Sequence, residues 1–197
     1  TTIADYTGTE VAYCPGTAAR NWHNDAWSPR TGLLYTVTNT SCSVLRMEAG
    51  EYVPGEAYRL RIQVGANPIP RAGMDGQLVA YNTQLMANDP VGGMTVWAIQ
   101  QVQDNALPIM ATATDILFQG GNDAGVMRAL NATNGETAWE FRTGSGISGL
   151  PIVWEHKGVE YVTVTSGAAT VYAALGGDPN LPPVPAGSSV WTFALKK

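Results

Sequence analysis

Two cysteines and two histidines are the groups in this sequence with the most obvious potential for chemistry. Cys14 and Cys42 lie 28 positions apart (42 minus 14), and neither belongs to a C-x-x-C pair. Together with His23 and His156 they would make an unusual zinc site, because structural zinc ligands come as closely spaced pairs. A disulfide is the favoured interpretation, stabilising by roughly 3–4 kcal/mol and indicating an oxidising compartment. A pair of buried free thiols is the alternative.

Acid–base chemistry finds little support in the sequence. Neither His23 nor His156 has partners that suggest a catalytic triad, and residues 156–158 read as an exposed hairpin turn. Four aspartates are more typical of turn formers than of catalytic groups: Asp25, Asp75, Asp115 and Asp123. Phosphate-binding glycine loops and nucleophile elbows are absent from the sequence. The residues alone therefore nominate no catalytic group.

Composition excludes several classes of protein. The 197 residues are 14% charged and 45% hydrophobic, which rules out a disordered or fibrous chain. The net charge of -5 and the scattering of 11 basic residues argue against a nucleic-acid surface. No apolar run approaches the roughly 18 residues that a membrane helix needs. The chain begins at Thr1 without a Met or a signal-like segment, which indicates a removed targeting peptide or one piece of a longer polypeptide.

Short strands must position whatever site the chain carries. Runs rich in β-branched and aromatic residues recur between Gly, Asn, Asp and Pro, and helical periodicity is nearly absent. The predicted strands are 33–38, 58–64, 77–81, 94–99, 116–119, 126–130, 136–141, 150–155, 160–165 and 190–195. About ten short strands at this spacing predict an all-β sandwich, barrel or propeller.

An internal repeat favours the propeller. Residues 76–82 and 125–131 both read Gly-x-x-x-Ala-x-Asn. We expect each to pair as a hairpin with the later strand that carries a Trp, Trp97 or Trp139. The two starts are 49 residues apart (125 minus 76), within the range of propeller blades. We expect four-stranded antiparallel blades, with each Trp packed between neighbouring blades.

Around this repeat, four ordered segments resemble the quinoprotein alcohol dehydrogenases, which use pyrroloquinoline quinone (PQQ). Residues 129–139 resemble the tryptophan-docking motif of that family, and residues 20–35 resemble its "RNW…SPxTGLLY" segment. Residues 139–147 are similar to its late-chain "WEFxTGSGI" stretch, and residues 161–167 to the strand that follows.

The resemblance implies the C-terminal portion of an eight-bladed β-propeller. Residues 1–197 supply strands for about three blades, so a larger N-terminal chain of the same propeller is the implied partner. A few blades alone would leave open sheet edges.

In this family an adjacent Asn-Trp pair contacts PQQ, and Asn21 and Trp22 match it. Their amide and indole groups could orient an anionic cofactor without adding charge. The alternative is a loop Asn and a packing Trp. Thr170 and Val171 occupy the place of a glycine-rich turn whose backbone binds a PQQ carboxylate. Here Ala169 and Thr170 replace glycines, so a plain strand-to-loop corner is the alternative.

Two further matches concern structure and substrate. Cys14 and Cys42 coincide with a structural cysteine pair of the family. Aliphatic residues at 107–109 replace an aromatic stretch, which implies either a different, more open substrate pocket or simple packing at the channel mouth.

The implied activity is that of a periplasmic enzyme oxidising alcohols, polyols or sugars by hydride transfer to PQQ. A Ca²⁺ or lanthanide ion polarises the quinone carbonyl, and a cytochrome c is the expected electron acceptor. The catalytic Asp and the metal-binding Glu would lie outside this chain, so no catalytic or metal residue is assigned to it. A non-enzymatic propeller scaffold is the alternative function. A sugar-binding β-sandwich is disfavoured by the repeating Trp motif.

Overall fold

A computed structural model of the chain describes residues 8–13, 19–20, 24–39, 42–56, 61–67, 69–72, 78–81, 83–101, 108–121, 125–147, 149–167 and 187–195. Within these ranges the chain forms sixteen strands and no helix, so no helix there is long and apolar enough to cross a bilayer.

The strands are, in chain order, β1 (Glu10–Tyr13), β2 (Ala26–Ser28), β3 (Leu33–Asn39), β4 (Cys42–Met47), β5 (Arg61–Asn67), β6 (Ile69–Ala72), β7 (Leu78–Tyr81), β8 (Thr83–Asp89), β9 (Met94–Gln101), β10 (Ile109–Ala111), β11 (Ile116–Gln119), β12 (Val126–Asn131), β13 (Thr137–Arg142), β14 (Ile152–His156), β15 (Val159–Gly167) and β16 (Ser188–Ala194). Each of the ten predicted strands overlaps one of these. The other six are β1, β2, β4, β6, β8 and β10.

Three antiparallel sheets follow one another as blades. Blade 1 has the strand order β2-β3-β8-β9, blade 2 the order β10-β11-β12-β13, and blade 3 the order β14-β15-β16. In each blade the strands lie side by side in chain order, which is the connectivity of a propeller blade. The prediction of an all-β propeller with four-stranded blades is confirmed for the first two. Blade 3 has three strands among the described residues.

Blade 1 is interrupted by a long insertion between β3 and β8. It carries β4, β5, β6 and β7 in two small sheets, ordered β1-β4-β5 and β6-β7. Strand β7 pairs with β6 and not with the Trp97 strand, since Ala80 lies opposite Pro70. The predicted hairpin between residues 76–82 and the Trp97 strand is therefore wrong.

The actual repeat has a different register. Trp97 lies opposite Ala87 of β8, and Trp139 lies opposite Ala129 of β12. Both hairpins shift register immediately after the Ala, and the two alanines are 42 residues apart (129 minus 87). The repeating unit is therefore Ala-x-Asp/Asn followed by a Gly turn and a Trp, read from Ala87 and Ala129.

Blade 3 continues this repeat in its first three strands. In each blade an aromatic residue of the second strand lies opposite an Ala of the third. The three pairs are Tyr35 with Ala87, Phe118 with Ala129 and Tyr161 with Ala194. Strand β16 is thus the equivalent of β8 and β12.

Apolar side chains between the blades form the core. One cluster lies between blades 1 and 2 and includes the fully buried Tyr35, Leu85, Ile109 and Leu117. A second joins blades 2 and 3 through Met127, Ile147, Val162 and Val164.

Both tryptophans contact the next blade, as predicted. Trp97 Nε1 donates a 3.1 Å hydrogen bond to the carbonyl oxygen of Ala132, and the Trp139 ring lies 5.0 Å from Phe193.

Candidate functional site

One end of the blades gathers the segments that the sequence associated with a site. Asn39, Thr83 and Gln101 lie side by side there, at the end of β3, the start of β8 and the end of β9. Gln101 and Gln119 exchange side-chain hydrogen bonds of 2.8 and 3.1 Å, which joins this end of blade 1 to the end of β11 in blade 2. The Gly167 amide at the end of β15 donates to the carbonyl of Gly146, 2.8 Å away, which adds blade 3. We call this end of the three blades the loop end.

Buried polar side chains concentrate at the loop end. Of nine buried polar residues in the described ranges, seven lie there: Asn39, Thr83, Gln101, Gln119, Thr143, Ser145 and Ser166. All seven are uncharged. Buried polar groups need internal partners, so this end of the molecule is built from hydrogen-bonded amides and hydroxyls and not from apolar packing alone.

Hydroxyl groups connect the segments of blades 2 and 3. Thr143 Oγ1 donates to the Gly125 carbonyl at 2.8 Å, and Ser166 Oγ donates to the Ser145 carbonyl at 2.9 Å. Gly125 has a φ of 66°. A Cβ there would lie 1.8 Å from the Ser145 carbonyl oxygen, so only glycine permits this approach. This hydrogen-bond network holds the end of β15 in place.

An ion pair flanks the predicted Asn-Trp pair. Arg20 Nη1 lies 2.8 Å from Asp25 Oδ2; the Arg20 side chain is exposed and the Asp25 side chain is half-buried. Burial raises the pKa of the Asp25 carboxyl above its ordinary value of 3.8, and the Arg20 guanidinium offsets part of that rise. The carboxylate is therefore held in a position that is unfavourable for its charge.

The four residues assigned to PQQ by resemblance lie outside the described residues: Asn21, Trp22, Thr170 and Val171. The described residues that are nearest in the chain to Asn21 and Trp22, and those nearest to Thr170 and Val171, lie at the loop end. The carbonyl of Ala19 accepts a 2.7 Å hydrogen bond from the Asn39 amide, and Gly167 approaches Gly187 across the second segment. The structure thus brings the flanks of both predicted contact segments to one end of the blades, while the contacts themselves stay a prediction.

The predicted cysteine pair is half described. Cys42 begins β4, and Cys14 lies outside the described residues. Strand β1 ends with Tyr13 opposite Ser43 of β4.

Three of the residues read as turn formers are described, and the prediction is confirmed for His156 and Asp115. It is wrong for Asp25, which lies directly before β2 and pairs with Arg20. His156 ends β14 in an exposed hairpin with Lys157 and Gly158. Asp115 occupies a turn with a φ of 60° and pairs with Arg30 at 3.1 Å. His23, Asp75 and Asp123 lie outside the described residues.

Two further observations concern substrate and metal. Ile109, predicted to border either a substrate pocket or the channel mouth, is fully buried in the core between blades 1 and 2. Within the described ranges, no three His, Cys, Asp or Glu side chains come together as a metal site.

Two features of the loop end were missed from the sequence. The Gln101–Gln119 pair gave no signal, because the two residues meet only once the blades stack. The Arg20–Asp25 pair did carry one, since opposite charges flank the predicted Asn-Trp contact at close spacing.

Comparison with known proteins agrees with this fold. No protein-family model matches the chain. It is 34% identical over 183 residues to a quinoprotein ethanol dehydrogenase of Pseudomonas aeruginosa, a match covering 92% of this chain and 28% of the relative. A 1-butanol dehydrogenase (cytochrome c) of Thauera butanivorans is 29% identical over 193 residues, covering 92% of this chain and 26% of the relative.

Among solved structures, a europium-containing methanol dehydrogenase superposes with a TM-score of 0.73 at 25% identity, covering 96% of this chain and 36% of that structure. The chain thus spans about 28% of the length of the P. aeruginosa relative. In sequence and in fold, the chain is similar to one portion of the quinoprotein alcohol dehydrogenases.

Proposed function

We propose that this chain is one portion of a periplasmic, PQQ-dependent dehydrogenase that oxidises alcohols, polyols or sugars. The observation that carries the proposal is the convergence of residues 19–25 and 167–187, at their described flanks, on the loop end. These segments contain Asn21, Trp22, Thr170 and Val171. The quinone and the alcohol class come from the relatives, which are named as a quinoprotein ethanol dehydrogenase and a 1-butanol dehydrogenase.

The chemistry of the loop end fits an anionic, planar cofactor. Its buried polar side chains are neutral amides and hydroxyls, and Arg20 is a cation already balanced by Asp25. In this setting Asn21 donates an amide hydrogen bond and Trp22 an indole hydrogen bond to the cofactor oxygens. Backbone groups at Thr170 and Val171 complete the contacts. The proposed role of these four residues is to bind and orient the cofactor.

PQQ, when bound, would supply the quinone carbonyl as the oxidant for the alcohol. A Ca²⁺ or lanthanide ion serves as the Lewis acid beside it, in keeping with the europium named for the structural neighbour. The base and the metal ligands are proposed to belong to the rest of the propeller, as the resemblance to the family implies.

The remaining polypeptide of the propeller is the proposed partner, and its contact surface is the outer edge of blade 3. Strand β16 pairs on one side with β15 and has no second partner among the described strands. Beside it, a groove of about 750 Å³ is lined by Ile116, Phe118, Trp139, Val162, Phe193 and Leu195.

The packing of blade 1 against blade 2 indicates what would fill this groove at the edge of blade 3. There the Trp97 ring is covered by the glycine turn that leads into the fourth strand, β13. Trp139 holds the equivalent position and is 38% exposed. We infer that a fourth strand and its turn, from the rest of the propeller, pair with β16 and cover Trp139.

The electron acceptor is proposed to be a cytochrome c, as the name of the Thauera relative states for that enzyme. A periplasmic location agrees with the proposed disulfide, because disulfides persist in oxidising compartments.

Asn21→Ala and Trp22→Ala in the complete enzyme test the proposal. Each variant should weaken PQQ retention, followed by near-ultraviolet absorbance, without lowering the thermal unfolding temperature. Asn134→Ala is the matched control, because Asn134 caps the β12–β13 turn away from the loop end. The proposal fails if quinone binding ignores both substitutions, or if this chain alone is a stable and complete monomer. A scaffold would bind no quinone at all.

A further inference from the structure

The turn between β12 and β13 contains an Asn-Gly pair, Asn134 and Gly135. No other asparagine in the sequence is followed by glycine. Asparagine is a chemically labile residue, and a following glycine hinders its deamidation least, because glycine has no side chain and a freely adjustable backbone. The Asn134 side chain is exposed, so water reaches it. Sequence and exposure therefore mark Asn134 as a candidate for modification.

Deamidation at this pair needs only the two residues and water. The backbone nitrogen of Gly135 attacks Cγ of Asn134, so a new N–Cγ bond forms and the Cγ–Nδ2 bond breaks. Ammonia leaves and carries away the proton of the Gly135 amide. Water then opens the cyclic imide at one of its two carbonyls, which gives aspartate or isoaspartate. No oxidant or reductant takes part.

The folded turn holds both reacting groups in other hydrogen bonds. The Gly135 amide donates to the carbonyl oxygen of Asn131 at 2.8 Å. Asn134 Oδ1 accepts a 3.0 Å hydrogen bond from the Glu136 amide, and Asn134 Nδ2 donates to Glu136 Oε2 at 2.9 Å. The nucleophilic nitrogen and the side-chain amide must both leave these partners before they can react.

Blade 1 covers the same turn. Gly135 is buried, and a Cβ at this position would lie 2.7 Å from Ile99 and 2.9 Å from the Trp97 ring. Trp97 Nε1 also donates a 3.1 Å hydrogen bond to the Ala132 carbonyl of this turn. Closing the imide ring requires the Gly135 nitrogen to rotate toward Cγ, and a backbone packed this closely resists that movement. The turn must first move away from Trp97.

We propose that Asn134 is a deamidation site that stays protected while blade 1 is docked on blade 2 and is modified when this turn opens. The product opposes redocking. An aspartate at position 134 would place a carboxylate beside Glu136 Oε2, where Asn134 Nδ2 now donates, and the two like charges repel. Deamidation thus weakens the turn on which Trp97 packs.

The test incubates the complete enzyme in mildly alkaline buffer, folded or unfolded in urea, and follows the peptide containing residues 134 and 135 by mass spectrometry. The folded enzyme should deamidate at least about ten-fold more slowly than the unfolded enzyme, because the reaction proceeds only through local opening. Trp97→Phe keeps a ring but removes the indole hydrogen bond, and should raise the rate in the folded enzyme about three- to ten-fold. Trp154→Phe is the matched control. It removes an indole hydrogen bond to Thr163 Oγ1 in blade 3 and should leave the rate unchanged.

Equal rates in the folded and unfolded enzyme would show that the turn gives no protection, and the proposal would be wrong. It is also overturned if Trp97→Phe leaves the rate unchanged or if Trp154→Phe raises it equally. Should Trp97→Phe fail to fold, Tyr35→Phe takes its place, because it removes the other hydrogen bond to the Ala132 carbonyl.

The effect of the product has a separate readout. Asn134→Asp mimics one product and should lower the unfolding temperature of the enzyme. Glu136→Gln in the same protein should restore most of that loss, because a glutamine amide can donate to the new carboxylate. An unfolding temperature that Asn134→Asp leaves unchanged would refute the claim that deamidation weakens the turn.

Discussion

The carbonyl oxygen of Ala132 in blade 2 accepts a 3.1 Å hydrogen bond from the Trp97 indole of blade 1. It also accepts a 3.0 Å bond from the Tyr35 hydroxyl of the same blade. Burial raises the pKa of Tyr35, so this hydroxyl stays protonated and able to donate. Two aromatic side chains of blade 1 thus donate hydrogen bonds to the same carbonyl in a turn of blade 2. These bonds fix the angle and spacing of the two blades, which carry part of the loop end.

Gly135→Ala should destabilise the enzyme by about 2–3 kcal/mol, measured by urea unfolding. Gly135 has a φ of 77°, and a Cβ there would lie 2.9 Å from the Trp97 ring. Gly158→Ala is the control, with a φ of 75° and no atom within 4 Å of the added Cβ. It should cost about 1 kcal/mol, from the backbone alone. Equal losses at the two sites would contradict the close packing of Trp97 on this turn.

Cys14 and Cys42 should form a disulfide. In the sequence Cys14 directly follows Tyr13 and Cys42 directly precedes Ser43, and Tyr13 lies opposite Ser43 in the β1–β4 ladder. Thiol labelling of the unfolded, unreduced protein should detect no free cysteine, and labelling after reduction should detect both. Two reactive thiols before reduction would show that the cysteines are free.

Asp25→Asn should gain stability relative to the wild type as pH rises. The pKa of Asp25 in the folded protein lies above 3.8, so between the unfolded and folded values the folded protein binds more protons. Its stability therefore falls as pH rises through that window. The asparagine variant lacks this ionisation. Unfolding free energies of the two proteins, measured below and above pH 3.8, should diverge in favour of the variant. A difference that does not change with pH would exclude a raised pKa.

Outward-facing amides of β16 should exchange slowly with deuterium in the complete enzyme. The Leu195 amide donates to the Glu160 carbonyl. Alternate amides, those of Val190, Thr192 and Ala194, therefore point away from β15. A fourth strand would protect them by hydrogen bonding. Rapid exchange at these three amides, beside slow exchange at Trp191 and Phe193, would show that β16 is a free edge.

The strand content was predictable because strand residues alternate and turns are marked by glycine and asparagine. The strand over residues 116–119 was predicted correctly at both ends, and its sequence is a short run of three apolar residues followed by Gln119. The register of the repeat was not predictable in the same way. Residues 80–82 imitate the Ala-x-Asn signature, and only the hydrogen-bonded ladder shows that Ala87 is opposite Trp97.

The site was predictable only in part. Asn21 and Trp22 stand in a specific motif, so the sequence could nominate them. The hydroxyl network of Thr143, Ser145 and Ser166 arises from residues brought together by blade stacking, and no local pattern marks it.

Quinone binding by the complete propeller is the most direct test of the account. The cofactor-free enzyme should be mixed with PQQ and Ca²⁺ or a lanthanide, freed of unbound cofactor and examined by near-ultraviolet absorbance. We predict one tightly retained PQQ per propeller, with retention reduced by Asn21→Ala and by Trp22→Ala. A correctly folded propeller that retains no quinone under these conditions would contradict it.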